Sequence, residues 1–190
     1  MVEHMRDVYF KPRSGGELTY ATRGKVPIYL YSELCNTARQ LGSSRLLLDN
    51  LFSKHKKIII LLQHPDNPMS GHWIGLNFKP EKGEIYFFSS YGGLPDREKL
   101  EWMNPSILAK TGQDINILND GLKSYAFDDG YVIHYNDVPY QKVGDDSATC
   151  GIWLAAFLNS DMNPDQFLEY NRKFRMSFYD YFVKYFPKRI

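Results

Sequence analysis

Residues 57–62, Lys-Ile-Ile-Ile-Leu-Leu, carry five apolar positions in a row, three of them β-branched, and predict a central strand. Residues 72–78 and 84–89 follow as two further strands, and the Lys-Pro-Glu-Lys-Gly-Glu segment between them has the composition of a turn, so the two are expected to pair antiparallel. Upstream, residues 32–54 place Leu34, Leu41, Leu46, Leu47, Leu48, Leu51 and Phe52 at helical spacing and predict two short helices broken near Gly42. Residues 1–27 read as irregular, because Pro12, Gly15, Gly16, Gly24 and Pro27 interrupt any long element. Residues 95–102 predict a short helix after a Gly-Gly turn, and residues 105–130 support no firm assignment. Residues 131–135 and 138–143 are expected as strands, the second near an edge because of Pro139. From Thr149 the pattern turns helical. Residues 151–158 are apolar on nearly every face and predict a helix buried all round, while 164–186 form an aromatic-rich amphipathic final helix with room for a break. Strands gathered between helices at both ends indicate an α+β domain.

At 190 residues the chain fits a single domain, and no repeat or linker divides it. Its 15% aromatic content argues against disorder, since each ring can bury a large apolar area. The net charge of +1 lacks the basic excess of a dedicated nucleic-acid binder. No apolar run approaches the roughly 20 residues that span a bilayer, and the opening Met-Val-Glu-His-Met-Arg-Asp-Val-Tyr-Phe has no signal-peptide core. Two cysteines, Cys35 and Cys150, do not make a disulfide framework. The expectation is an intracellular protein with reduced thiols and no membrane partner.

The richest segment for chemistry is Asp145-Asp146-Ser147-Ala148-Thr149-Cys150-Gly151. A polar run with good N-cap residues leads into the buried helix and puts Cys150 in its first turn, where backbone N–H groups and the helix dipole favour a thiolate. Gly151 removes a side chain beside the sulfur, so that a substrate backbone can approach. A small buried cysteine with no reactivity fits the same segment. Among five histidines, His4 lies near the chain start, His55 in a Lys-rich helix end, His64 in a Pro/Asn loop and His134 in a plausible strand. His72 stands at the start of a strand beside Trp73, where backbone is fixed and the ring is expected at the sheet edge.

Gly71-His72-Trp73, then residues 85–92 (Ile-Tyr-Phe-Phe-Ser-Ser-Tyr-Gly), then Ser147-Ala148-Thr149-Cys150-Gly151, resemble the adenain-like and ubiquitin-like-protein-specific cysteine proteases of the papain-like superfamily. The resemblance covers residues 57–160 and rests on the order His, acid, Cys and on spacing. It implies a papain-like fold: a central, mostly antiparallel sheet, a buried helix carrying the nucleophile, and flanking helices. It further implies a thiol endopeptidase with Cys150 as nucleophile and His72 as base, working through a thiolate–imidazolium pair without a cofactor. The family acid, seventeen residues past the histidine, falls on Ser89 here; a hydroxyl can orient the ring but supplies no charge. Asp96 is the next acid along. The family's oxyanion glutamine falls on Gln141 once two extra residues are allowed in the loop at 144–146, and the backbone N–H of Cys150 completes that hole.

Small size suits a viral or virophage maturation protease cutting capsid precursors, in a virion or a viral factory of the host cell. The alternatives are a protease deconjugating a ubiquitin-like modifier, and a binding-only relative serving as a scaffold. An activating peptide or nucleic acid is left open.

Overall fold

A computed structural model describes residues 11–141 and 148–186. It shows an α+β domain built on one five-stranded mixed sheet whose spatial order follows the chain: β1 (Ile28–Leu30), β2 (Lys57–His64), β3 (Asn67–Lys79), β4 (Glu84–Ser89) and β5 (Val132–Tyr135). The β2–β3 and β3–β4 ladders are antiparallel; β1 lies parallel to β2 and β5 parallel to β4. The centre is therefore antiparallel as expected, and both outer ladders are not. The reason is connectivity. Helices α2 (Tyr31–Leu41) and α3 (Ser44–Phe52) carry the chain from β1 to β2, and α4 (Glu98–Trp102), α5 (Pro105–Lys110) and α6 (Ile117–Asp129) carry it from β4 to β5; such long crossovers return a strand parallel.

Period-two alternation divides the core between the two faces of the sheet. Ile58, Ile60, Leu62, Ile74, Leu76, Ile85 and Phe87 pack with α2, α3 and α6. Ile59, Leu61, Trp73, Tyr86 and Phe88 pack with helix α7 (Cys150–Ser160), the first helix α1 (Gly15–Ala21) and the last two, α8 (Pro164–Phe174) and α9 (Phe178–Tyr185). Being covered on both sides explains why β2 reads as an unbroken apolar run. Every residue of α7 from Cys150 to Leu158 is buried, as its composition predicts.

Several elements depart from expectation. Residues 15–21 form α1 because Ser14 and Glu17 make a reciprocal capping box, a start signal that outweighs the neighbouring glycines. Within 105–130, Asn104 caps α5 with Pro105 in its first turn, and α6 follows; its weak amphipathic pattern hides it, for it is packed closely enough that a Cβ on Gly121 would come 3.0 Å from the Ser44 carbonyl. The 95–102 helix starts only at Glu98, since Asp96 adopts φ +67°. Residues 138–141 are irregular rather than a strand, and the rest of that predicted element, with the polar run 145–147 and the loop 144–146, lies outside the described residues. The final helix does break, at Arg175 in the left-handed region.

A buried polar network braces the crossover between β4 and β5. The Tyr31 hydroxyl donates to Asp96 Oδ1 at 2.5 Å, and the Asp96 Oδ2 accepts from the Leu118 and Asn119 N–H groups that open α6. The Lys99 ammonium spends its three donors on Tyr31 Oη, Gln113 O and Ile115 O. Asp96 is thereby committed to this network.

Opposite Gln63, where the β2–β3 register shifts, Gly71 has φ +153°, and a Cβ there would lie 1.9 Å from the Leu62 carbonyl oxygen. The clash is with backbone, so no rotamer relieves it. Gly71→Ala is expected to destabilise the domain by more than ~2 kcal/mol, read as a lower denaturation midpoint at unchanged slope. An unchanged midpoint would show that the strands are not in this register beside His72.

Candidate active site

The β3–β4 ladder ends at the Ile74–Ser89 pair, and β3 continues beyond it through Trp73 and His72. Ser89 and His72 lie diagonally across these strands, with His72 Nε2 and Ser89 Oγ 2.9 Å apart. The Tyr91 N–H donates to the same Oγ at 3.3 Å, and the Tyr91 ring stacks on the imidazole at 3.9 Å and 13°. Asn136 holds Ser89 from behind: its Oδ1 accepts from the Ser89 N–H (3.2 Å) and its Nδ2 donates to the Ser89 carbonyl (2.7 Å). The predicted His72–Ser89 pairing is therefore present in the geometry. The expected place of the ring at an open sheet edge is not, for β3 is the middle strand and His72 is 2% exposed.

A hydroxyl does less for histidine than a carboxylate would. It donates as well as accepts, so it leaves the imidazole tautomer undetermined, and it brings no charge to stabilise an imidazolium. Burial then dominates, pushing the His72 pKa down from 6.5 to about 3. The other ring nitrogen, Nδ1, is buried and has no hydrogen-bond partner among the described residues.

Cys150 opens α7 at 8% exposure. Burial pushes its thiol pKa up, against the backbone N–H groups of Trp73, Gly151 and Cys150 itself, which pull it down. These contacts place the sulfur beside the residue that follows His72 in the chain. Both shifts favour the neutral forms. For Cys150 this is the opposite of the expected depression, because removal from water weighs against the helix-start dipole.

Gln141 also comes to this end of the sheet. Its backbone N–H and that of Tyr140 both donate to the Ser90 carbonyl, at 3.1 and 2.8 Å, and its Oε1 accepts from Thr149 Oγ1 at 2.8 Å. It is thus tied both to the residue after Ser89 and to the residue before Cys150. The open approach expected over Gly151 is filled: a Cβ on Gly151 would meet Arg13 Cβ at 2.9 Å, and Arg13 is itself 6% exposed. Trp73 packs inside this contact, its indole N–H donating to the Arg13 carbonyl at 2.9 Å, instead of walling an open cleft.

The chain has a relative in a virophage. It is 31% identical over 106 residues to an uncharacterized protein, V9, of the Sputnik virophage, and the match covers 56% of this chain and 56% of V9. The chain thus spans about half the length of that relative. No protein family model matches the chain. The similarity supports a viral setting. Among the described residues, no helix is long and apolar enough to cross a membrane, and no group of three or more His, Cys, Asp and Glu side chains is placed to hold a metal ion.

Sequence reasoning missed Asn136, Thr149, Tyr91 and Arg13 as parts of the site. Tyr91 stands inside the segment that carries the resemblance and was open to inspection. Asn136 offers no local signal, because its partner Ser89 is 47 residues away.

The His72 shift sets a stability dependence on pH. Its folded pKa lies below its unfolded value, so the unfolded chain takes the proton first. The contribution is complete above pH 6.5 and is lost as pH falls toward 3. Between pH 6.5 and 4 this amounts to about 3 kcal/mol. His72→Gln cannot titrate there, so the stability gap between wild type and variant should narrow by about that much from pH 7 to pH 4 in denaturant titrations. Parallel curves would refute a neutral buried ring.

Proposed function

We propose that the protein is a cysteine endopeptidase with Cys150 as nucleophile and His72 as base. One juxtaposition carries the reading: His72 is held at Nε2 by Ser89 while its buried Nδ1 has no partner among the described residues, and the Cys150 sulfur lies against the N–H of the adjoining Trp73. An unpartnered buried nitrogen is costly, and a role for it is to accept the thiol proton. As the sulfur attacks the scissile carbonyl, His72 takes that proton, so the ion pair forms during attack and not before. The carbonyl oxygen gains charge and is stabilised by the Cys150 backbone N–H and the Gln141 amide. His72 then returns the proton to the leaving amine, and water cleaves the thioester.

The virophage relative supports a viral setting, and the substrate proposed for that setting is a virion precursor, processed in the virion or in a viral factory of a host cell. Deconjugation of a ubiquitin-like modifier uses the same chemistry and is separated by assaying both substrate kinds. One observation favours a second reading, a binding-only scaffold: Cys150 and His72 are 8% and 2% exposed, and Arg13 covers Gly151.

Iodoacetamide labelling of the native protein, read by mass spectrometry, distinguishes the two. Fast modification of Cys150 that is lost in His72→Ala favours the enzyme; slow, His72-independent modification favours the scaffold. Incubation with precursor proteins of the same virus should generate new N-termini with wild type and none with Cys150→Ala. Cys35→Ser should keep most activity, because Cys35 is fully buried and its thiol pKa is pushed up to about 12. Were Cys35→Ser the inactive variant, the assignment would collapse.

Ser89→Asp places a carboxylate against the ring and should raise the His72 pKa by about 1–3 units. An imidazole that is neutral throughout the folded range in wild type should then titrate at mildly acidic pH in the variant, seen by nitrogen-15 NMR. Identical ring shifts in both proteins would mean that position 89 does not orient the base.

A further inference from the structure

Thr149 precedes α7, where a threonine normally turns its hydroxyl onto the N–H of the second or third helical residue. It makes no such bond here, and its backbone sits at φ −92°, ψ −3° in place of the extended form of an N-cap. The hydroxyl instead donates to Gln141 Oε1 at 2.8 Å, across eight residues of chain, with Thr149 2% and Gln141 8% exposed. A good capping residue has therefore left its helix unserved to hold a glutamine. Local rules are broken in this way chiefly at functional sites.

The consequence for Gln141 is chemical. A primary amide has two ends of nearly equal shape, one an acceptor and the other a double donor. Rotating it by 180° would turn its oxygen toward any anion it was meant to stabilise. With Oε1 taken by Thr149, the NH2 end becomes the outward one. In the opposite orientation the buried Thr149 hydroxyl proton would lose this acceptor, which is unfavourable. The backbone of the glutamine cannot shift to compensate, because its N–H is fixed on the Ser90 carbonyl at 3.1 Å. Because the hydroxyl is turned away, the Thr149 side chain takes none of the first N–H groups of α7. The Thr149 carbonyl takes the N–H of Ile152 and Trp153, at 3.0 and 3.1 Å, and those of Cys150 and Gly151 remain against the sulfur.

We propose that Thr149 is a positioning residue for acyl transfer: its hydroxyl sets the Gln141 amide so that the N–H donors, with the start of α7, face the oxyanion formed at Cys150. The inference rests on the reading of Cys150 as nucleophile and Gln141 as oxyanion donor, and adds the group that orients that donor.

4-Nitrophenyl acetate tests it. The Cys150 sulfur forms a bond to the acetyl carbon, the ester C–O bond breaks, 4-nitrophenolate leaves, and the thiol proton passes to His72; the step goes through an oxyanion. Iodoacetamide alkylates the same sulfur by displacing iodide from a saturated carbon and forms none. Thr149→Val keeps the side-chain shape without the hydroxyl, and is expected to slow acylation by ~10–100-fold, while alkylation stays within about twofold of wild type. Thr149→Ser should restore most of the acylation rate. In Gln141→Ala acylation should fall at least as far, and adding Thr149→Val to it should cost little more, since one interaction has already been lost. Unchanged acylation in Thr149→Val overturns the proposal, and so does an equal fall in acylation and alkylation, which would mark a merely structural residue. If Cys150→Ala still acylates, or Gln141→Ala acylates like wild type, the underlying reading of the site fails, a result distinct from either.

Discussion

Beyond the Ile74–Ser89 pair, β3 runs on without β4 at its side, and this step leaves the N–H of Trp73 free to face the start of α7 and the sulfur of Cys150. The site depends on this stop. A longer β4 would take that N–H into the ladder. What ends the strand is a set of polar contacts just past it: Asn136 on both backbone groups of Ser89, and Tyr140 and Gln141 together on the Ser90 carbonyl. The end of one strand therefore brings the base, its orienting hydroxyl and an amide donor to the first turn of one helix.

Desolvation sets the electrostatic character of that junction. With a carboxylate at position 89, Coulombic attraction would oppose the burial of a charged ring. With serine there it does not, and the neutral forms of His72 and Cys150 are favoured together. Stacking of Tyr91 on the imidazole and the packing of Arg13 over Gly151 add to the exclusion of water. A closed neutral site is quiet at rest, and any chemistry in it must create charge and stabilise it within the same step. Oriented dipoles suit that task better than fixed charges, and the amide of Gln141 and the first N–H groups of α7 are dipoles of this kind.

Charge is instead concentrated on the opposite face of the sheet, where Asp96, Lys99 and Tyr31 pair within the crossover that joins β4 to β5. These groups hold the N-terminus of α6 and so fix where β5, and after it Asn136, can run. Their link to the site is mechanical. The first carboxylate after Ser89 in the chain thus serves the fold that positions Ser89 and is not a partner of His72.

Much of this was legible along the chain. The apolar run at 58–62, the turn at 79–84 and the apolar composition of 151–158 settle the central antiparallel strands and the buried helix, because burial on every face leaves no other pattern. The spacing of His72, Ser89 and Cys150 was enough to nominate three residues that the fold brings to one end of the sheet. Helices α1, α5 and α6 were harder to see, since their starts depend on single caps and their stability on packing against distant elements. Parallel edges, the clamp of Asn136 and the cover of Arg13 arise from contacts across tens of residues that leave no local periodicity. The sign of the Cys150 shift was the largest reversal. Sequence shows which group sits at a helix start, but the exclusion of water from it is decided only when the layers close.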